Sequence, residues 1–203
     1  IAGPASRDVL ASLVDIDVSN AALEFLDIRD TWVGSVPCLL GRVTFTGDLG
    51  YEIWCAASYQ QQLFDAVMDA GAAGGIAPFG ARALDSMRLD KAWGAWATEY
   101  RPIYDPFQAN MGCMVKLDAA AKVDFIGRDA ALAAREAGPE RRLVTFSVDP
   151  GAGDSAADCI GNEPISIGEA GDETVVGWVT SGGFAHHSGL SIALGYVPAE
   201  HAA

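Results

Sequence analysis

An α+β fold is what this sequence predicts, on three observations. Apolar residues recur at helical spacing near Leu10, across Leu63–Met68 and across Leu84–Trp93. Between the first two stripes, strand-like runs flank a turn that carries two glycines. From Arg142 onward the pattern turns into strand-like runs separated by turns, so the tail reads as a small β domain. The 203 residues are half hydrophobic and one-fifth charged, which is enough apolar material for one or two cored domains and too much for a disordered chain.

The elements follow in chain order. Pro4 stands where a first helical turn tolerates it, and Val9, Leu10, Leu13 and Val14 form an apolar stripe, so a helix is expected there. A polar stretch over Asp15–Asn20 follows. Cys38–Phe45 and Tyr51–Trp54 read as two strands of a hairpin joined by the turn Thr46–Gly50. Ser58 with Gln61 three residues on has the form of a capping box for a helix whose apolar face is Leu63, Phe64, Val67 and Met68. Gly71–Gly75 stops it. A second helix is expected from Gly80 to Trp93, with Leu84, Met87, Ala92 and Trp93 inward and Arg82, Asp85, Ser86 and Asp90 outward. Arg88 stands at i, i+3 spacing to Asp85 for an intrahelical pair.

Tyr100–Asn110, with Pro102 and Pro106, reads as irregular chain. Asp124–Ala130 opens a short alanine-rich helix that ends near Gly138-Pro139. Leu143–Val148, Thr174–Thr180 and Ile192–Val197 are the tail strands, Asp149–Asp158 is a loop, and Ser181-Gly182-Gly183 is expected as a loop between the last two strands. A boundary near 138–141 divides the chain into 1–138 and 139–203.

Composition excludes several functions. With 27 acidic against 13 basic residues and a net charge of −14, a nucleic-acid partner is not expected. No apolar run is long enough for a membrane-spanning helix, so no membrane partner is expected either. The chain opens on Ile1 with no charged stretch ahead of an apolar run, so a piece of a longer protein is expected and not a signal peptide. Cys38, Cys55, Cys113 and Cys159 have neither zinc nor disulfide-framework spacing, and only three histidines are present, so no metal site is expected. Apolar neighbours suggest that Cys55 and Cys113 are buried thiols. Gly71–Gly75 follows a helix and not a strand, and Gly151-Ala152-Gly153 opens no helix, so no dinucleotide fold is expected. His186 and His187 lie beside Ser181 and Ser188 with no acidic partner and no nucleophile elbow, which reads as a connecting turn with exposed imidazoles.

Glu52 is the residue with chemistry. Strand alternation puts it on one face with Trp54, and Tyr51 with Ile53 on the other. It is either a solvent-facing glutamate on an edge strand or a two-oxygen acceptor for a flat heterocycle with adjacent N–H donors, such as a pterin.

Arg42–Ile53 resembles a motif of the glycine-cleavage T-protein (aminomethyltransferase) family. Gly80–Lys91, Asp105–Gly112, Asp124–Arg128 and Thr180–Gly183 leading to Ala193–Val197 agree with it in the same order. Within that family Arg82–Ser86, Lys91-Ala92-Trp93 and Ser181–Phe184 are most similar to the C-terminal half of dimethylglycine and sarcosine dehydrogenases. The resemblance implies a partial core domain followed by a β-barrel-like domain. It implies tetrahydrofolate as cofactor, and FAD only in a preceding N-terminal flavin domain. That flavin oxidises an N-methyl amine, and the one-carbon unit passes to folate as 5,10-methylenetetrahydrofolate.

By the same resemblance the folate-binding residues are Glu52, Phe45, Tyr51 and Arg82. Phe45 stands where the family usually has a tyrosine. Leu84 stands where the family has an arginine, so Arg82 either substitutes for it or only supports its helix. The resemblance implies that the family's catalytic aspartate is to be expected upstream of Ile1. The location implied is the cytoplasm, or the mitochondrial matrix in a eukaryote. A non-catalytic folate-binding or assembly module is the alternative, and the fragment itself is expected to bind no flavin.

Overall fold

The computed structural model describes residues 1–118, 124–151 and 157–202. The chain divides into two compact units, Ile1–Trp93 and Gly94–Ala203; the 138/139 division read from composition falls inside the second. Both units mix helices with antiparallel sheet.

In the first unit, α1 (Ser6–Ala11) precedes a three-stranded sheet of order β1-β2-β3, formed by β1 (Ile28–Val33), β2 (Val36–Gly41) and β3 (Glu52–Trp54). β1 is an addition to the expected elements. Of its residues only Val33 is buried, so it lacks the alternation that marks a strand, but Gly34 at φ +58° turns it tightly back into β2. The β2–β3 hairpin is present, with Leu39 opposite Trp54 and Gly41 opposite Glu52. Its first strand ends at Gly41 and does not reach Phe45. The backbone of Arg42 instead exchanges hydrogen bonds with Leu26 and Asp27, which draws residues 42–51 out of the ladder.

α2 (Gln60–Gly71) packs Leu63 and Val67 against Val33, Val36 and Cys38. Ser58 is not its cap. It lies inside a 3-10 turn, Ala57–Tyr59, and Tyr59 precedes the helix without a side-chain cap. The chain leaves the helix through Gly75, in the left-handed region at φ +74°. α3 (Ala81–Asp90) buries Leu89 and Arg88. The Arg88 guanidinium meets Asp85 at 2.9 Å, as the spacing predicts, and also donates to the Trp93 carbonyl. The helix stops before Ala92, which is exposed and not inward.

The second unit begins with irregular chain and contains α4 (Arg128–Ala137). Its sheet has the order β4-β7-β6-β5, from β4 (Arg141–Val148), β5 (Pro164–Ile167), β6 (Thr174–Ala185) and β7 (Leu190–Pro198). β7 is central and buried without interruption from Ser191 to Val197, the pattern of a strand covered on both faces. β5 is short and mostly exposed, and shows no period in the sequence. Of the loop expected over Asp149–Asp158, residues 152–156 lie outside the described residues.

Ser181-Gly182-Gly183 is not a loop. It belongs to β6 and pairs with Leu194, Ala193 and Ile192. These glycines serve close approach and not turning: a side chain on Gly182 would meet the Cys159 carbonyl oxygen at 2.5 Å. The turn follows at 186–189, where His186 and His187 are exposed and Gly189 has φ +70°. The β6–β7 register shifts between Val179 and Ser181, leaving Thr180 as the extra residue of a bulge. Among the cysteines, Cys113 is exposed in the 3-10 turn Gly112–Met114, Cys55 is half-buried, and Cys38 is the buried one; all four are free thiols.

Candidate functional site

Glu52 begins the edge strand of the first unit's sheet, and the two-residue period of a strand decides what surrounds it. Tyr51, 1% exposed, and Ile53 turn to the core that holds Leu10, Val18, Leu23 and Leu40. The Tyr51 hydroxyl accepts from Arg7 Nε at 3.1 Å, and its backbone N–H donates to the Ile1 carbonyl. β3 is thereby fastened on the side away from β2. Glu52 and Trp54 turn to the open side, where Trp54 is 41% exposed.

Glu52 and Trp54 share a cavity of about 470 Å³ with Tyr51 and, from α2, Gln60, Leu63 and Phe64. Glu52 is exposed and its carboxylate, with the Ile1 ammonium as a charged neighbour, makes no hydrogen bond to a described residue, so both oxygens are available to N–H donors of a ligand. A second cavity of about 560 Å³ lies on the open face around Trp32, Leu39 and Trp54.

Of the residues named from the sequence, the structure brings Glu52 and Tyr51 to this cavity. Phe45 and Arg82 do not line it. Phe45, 42% exposed, sits in the 42–51 connection. The hairpin partner of Glu52 is Gly41, and β2 ends there, so Phe45 is not a ladder neighbour of Glu52. Arg82 is on the exposed side of α3, with no ion pair to a described residue.

Trp54, Gln60 and Phe64 were absent from the named set. The signals for them were present: Trp54 is two residues beyond Glu52 on a strand, and Gln60 and Phe64 are four apart on a helix.

The second unit holds a different charged cluster. Glu99 is fully buried. Its carboxylate accepts from the Ala95 N–H at 2.7 Å, from Thr98 Oγ1 at 2.5 Å, from Thr180 Oγ1 at 2.6 Å and from Ser181 Oγ. Burial alone would push this carboxyl up, but the four donors outweigh it and hold it below the usual glutamate range. Its backbone carbonyl accepts from Tyr196 Oη at 2.9 Å, and the Tyr196 ring stacks on Tyr104 with centroids 3.6 Å apart. Every oxygen of Glu99 is thus engaged by its own unit, and the cluster ties the 94–100 segment to β6 and β7. Among the described residues no helix is long and apolar enough to cross a membrane, and no group of three His, Cys, Asp or Glu side chains converges on a metal position.

Comparison with known proteins gives a consistent picture. Residues 1–119 match the domain family described as "GCVT N-terminal domain", and residues 141–203 match "Glycine cleavage T-protein C-terminal barrel domain". The mitochondrial dimethylglycine dehydrogenase of Homo sapiens is 36% identical over 202 residues, which cover 98% of this chain and 22% of that protein. An aminomethyltransferase of Symbiobacterium thermophilum is 34% identical over 203 residues, 99% of this chain and 51% of that protein. The chain therefore spans about a fifth of the one and half of the other. Among solved structures, aminomethyltransferase T of the glycine cleavage system from Bartonella henselae superposes with a TM-score of 0.74 at 24% identity, over 98% of this chain and 50% of that one. This likeness concerns the fold.

Proposed function

The chain belongs to the glycine cleavage T-protein family, and on that premise we propose that it carries the folate grip of a tetrahydrofolate-dependent one-carbon (aminomethyl) transferase. We place it in the C-terminal part of an FAD-dependent enzyme of the dimethylglycine or sarcosine dehydrogenase kind, with 1–138 as the folate-binding core and 139–203 as the barrel domain. The observation that carries the reading is Glu52: a carboxylate with no hydrogen bond to a described residue, on a fastened strand, bordering an aromatic-walled cavity.

The donor set fits a reduced pterin. Glu52 accepts from a ring N–H and the exocyclic amine together, which sets the plane of the ring as well as its position. Tyr51, pinned by Arg7, keeps β3 from shifting under that load. Arg82 offers an exposed guanidinium to the carboxylates of the folate tail, and Phe45 an aromatic face without the hydroxyl. When bound, tetrahydrofolate supplies the nucleophilic nitrogen that takes up the one-carbon unit, so this chain contributes position and electrostatics. A longer parent carries the N-terminal flavin domain. For a eukaryotic source, the mitochondrial relative supports a matrix location.

The test is Glu52→Gln in the full-length protein. The shape stays, while one of two N–H donors meets an amide nitrogen. Loss of a hydrogen bond to a charged acceptor costs about 1.5–3 kcal/mol, so folate affinity is expected to fall about 10- to 150-fold. Amine oxidation is expected to persist, with formaldehyde released in place of methylene-folate. Equal affinities for folate overturn the reading. The lost hydroxyl at Phe45 and Leu84 in place of arginine favour the second reading, a binding module. Tight folate binding without methylene-folate formation would select it.

A further inference from the structure

We infer that Trp54 is the stacking platform of the Glu52 site and that Gly41 is what positions it; this rests on the folate reading above. Three observations converge. Trp54 and Glu52 project from the same face of β3, two residues apart. Gly41 is the direct cross-strand partner of Glu52. A side-chain carbon built on Gly41 would lie only 2.7 Å and 2.8 Å from two carbons of the Trp54 six-membered ring.

Side chains directly opposite in an antiparallel pair have Cβ atoms about 4.5–5.5 Å apart. The Trp54 indole fills the place that the side chain of residue 41 would occupy, so its ring lies diagonally across β2, one cross-strand spacing from the base of Glu52. It covers bare backbone there. With 41% of Trp54 exposed, the indole still offers aromatic surface to the open side. A flat heterocycle gripped at its edge by the carboxylate needs a surface against one face. Among the aromatic residues that line this cavity, Trp54 is the one that shares a strand face with Glu52. Phe45, the aromatic expected from the sequence, does not line the cavity.

Stacking of a heterocycle on an aromatic side chain is worth about 5- to 150-fold in affinity when the ring is removed. In the full-length protein, titrated with tetrahydrofolate under anaerobic conditions, Trp54→Leu is expected to weaken binding by that factor and Trp54→Phe to retain most of it. Gly41→Ala keeps both Trp54 and Glu52 but displaces the indole, and is expected to weaken binding as Trp54→Leu does. Ligand-induced quenching of tryptophan fluorescence is expected to shrink in Trp54→Phe while binding survives. Thermal unfolding of each variant separates a lost contact from a lost fold.

The outcomes separate the two claims. If Glu52→Gln weakens binding and Trp54→Leu does not, the platform is wrong and the folate reading stands. If the wild-type protein binds no folate, or Glu52→Gln binds it equally well, the folate reading falls and the platform with it.

Discussion

Replacing Glu99 by glutamine measures what four converging donors are worth to a buried carboxylate. The amide has one acceptor oxygen where the acid has two. The Ala95 N–H cannot become an acceptor, so the amide oxygen must face Ala95 and Thr98, and the NH2 group must face Thr180 and Ser181. Thr180 tolerates this, because its hydroxyl can donate to the Leu194 carbonyl at 3.1 Å and accept from the amide. Ser181 must also reverse. All four bonds pass from charge-assisted to neutral, about 1 kcal/mol each, partly offset because a neutral amide costs less to bury than a carboxylate. The expected loss is about 2–3 kcal/mol at pH 7, read from urea unfolding.

Its pH dependence has a definite sign. The folded carboxyl titrates below its unfolded value of about 4.3. A depressed carboxyl contributes stability above the unfolded pKa and loses it as pH falls through the folded one. The gap between wild type and Glu99→Gln is therefore full at pH 7 and closes below about pH 4. A gap under about 0.5 kcal/mol at pH 7, or one that stays constant down to pH 3, refutes the argument.

Two further outcomes follow from packing. Gly182→Ala forces a methyl to 2.5 Å from the Cys159 carbonyl and is expected to cost about 1–3 kcal/mol in urea unfolding, as overpacking does; a neutral change would return this segment to a loop. Alkylation of the native protein followed by mass spectrometry is expected to modify Cys113 first and Cys38 last. Cys113 is exposed, whereas burial pushes the Cys38 thiol up and keeps reagent out.

What the sequence made legible follows physical lines. The hairpin that carries Glu52, the face it shares with Trp54, the Asp85–Arg88 pair and the helices ended by glycine were all readable, because each depends on neighbours a few residues away. β1 was not, since its outer face carries the apolar Ile28 and Trp32 while Arg29 and Thr31 stand opposite the buried Leu40 and Cys38, which inverts the period, and its pairing is supplied by β2. Ser181–Gly183 was misread because a glycine pair has the same composition whether it turns the chain or admits a neighbouring backbone. The strand expected to run to Phe45 stops at Gly41, because sequence spacing does not show where a ladder ends. Glu99 is one acid among many in a chain of net charge −14. Its burial is decided by hydroxyls roughly eighty positions away.

The bulge in β6 bears on how this protein tolerates a change of length. Consecutive strand residues point to opposite faces, yet Thr180 and Ser181 both reach Glu99, because Thr180 is the unpaired extra residue. A chain one residue shorter at that point could keep Val179 opposite Gly195 and the next residue opposite Leu194, with every other ladder pair on both sides intact. The sheet would hardly register the deletion. The buried acid would register it at once, having lost one of its two β-strand donors. A single-residue deletion there is thus nearly silent in topology and costly in charge solvation, and one elsewhere in the strand would send a whole run of side chains to the wrong face.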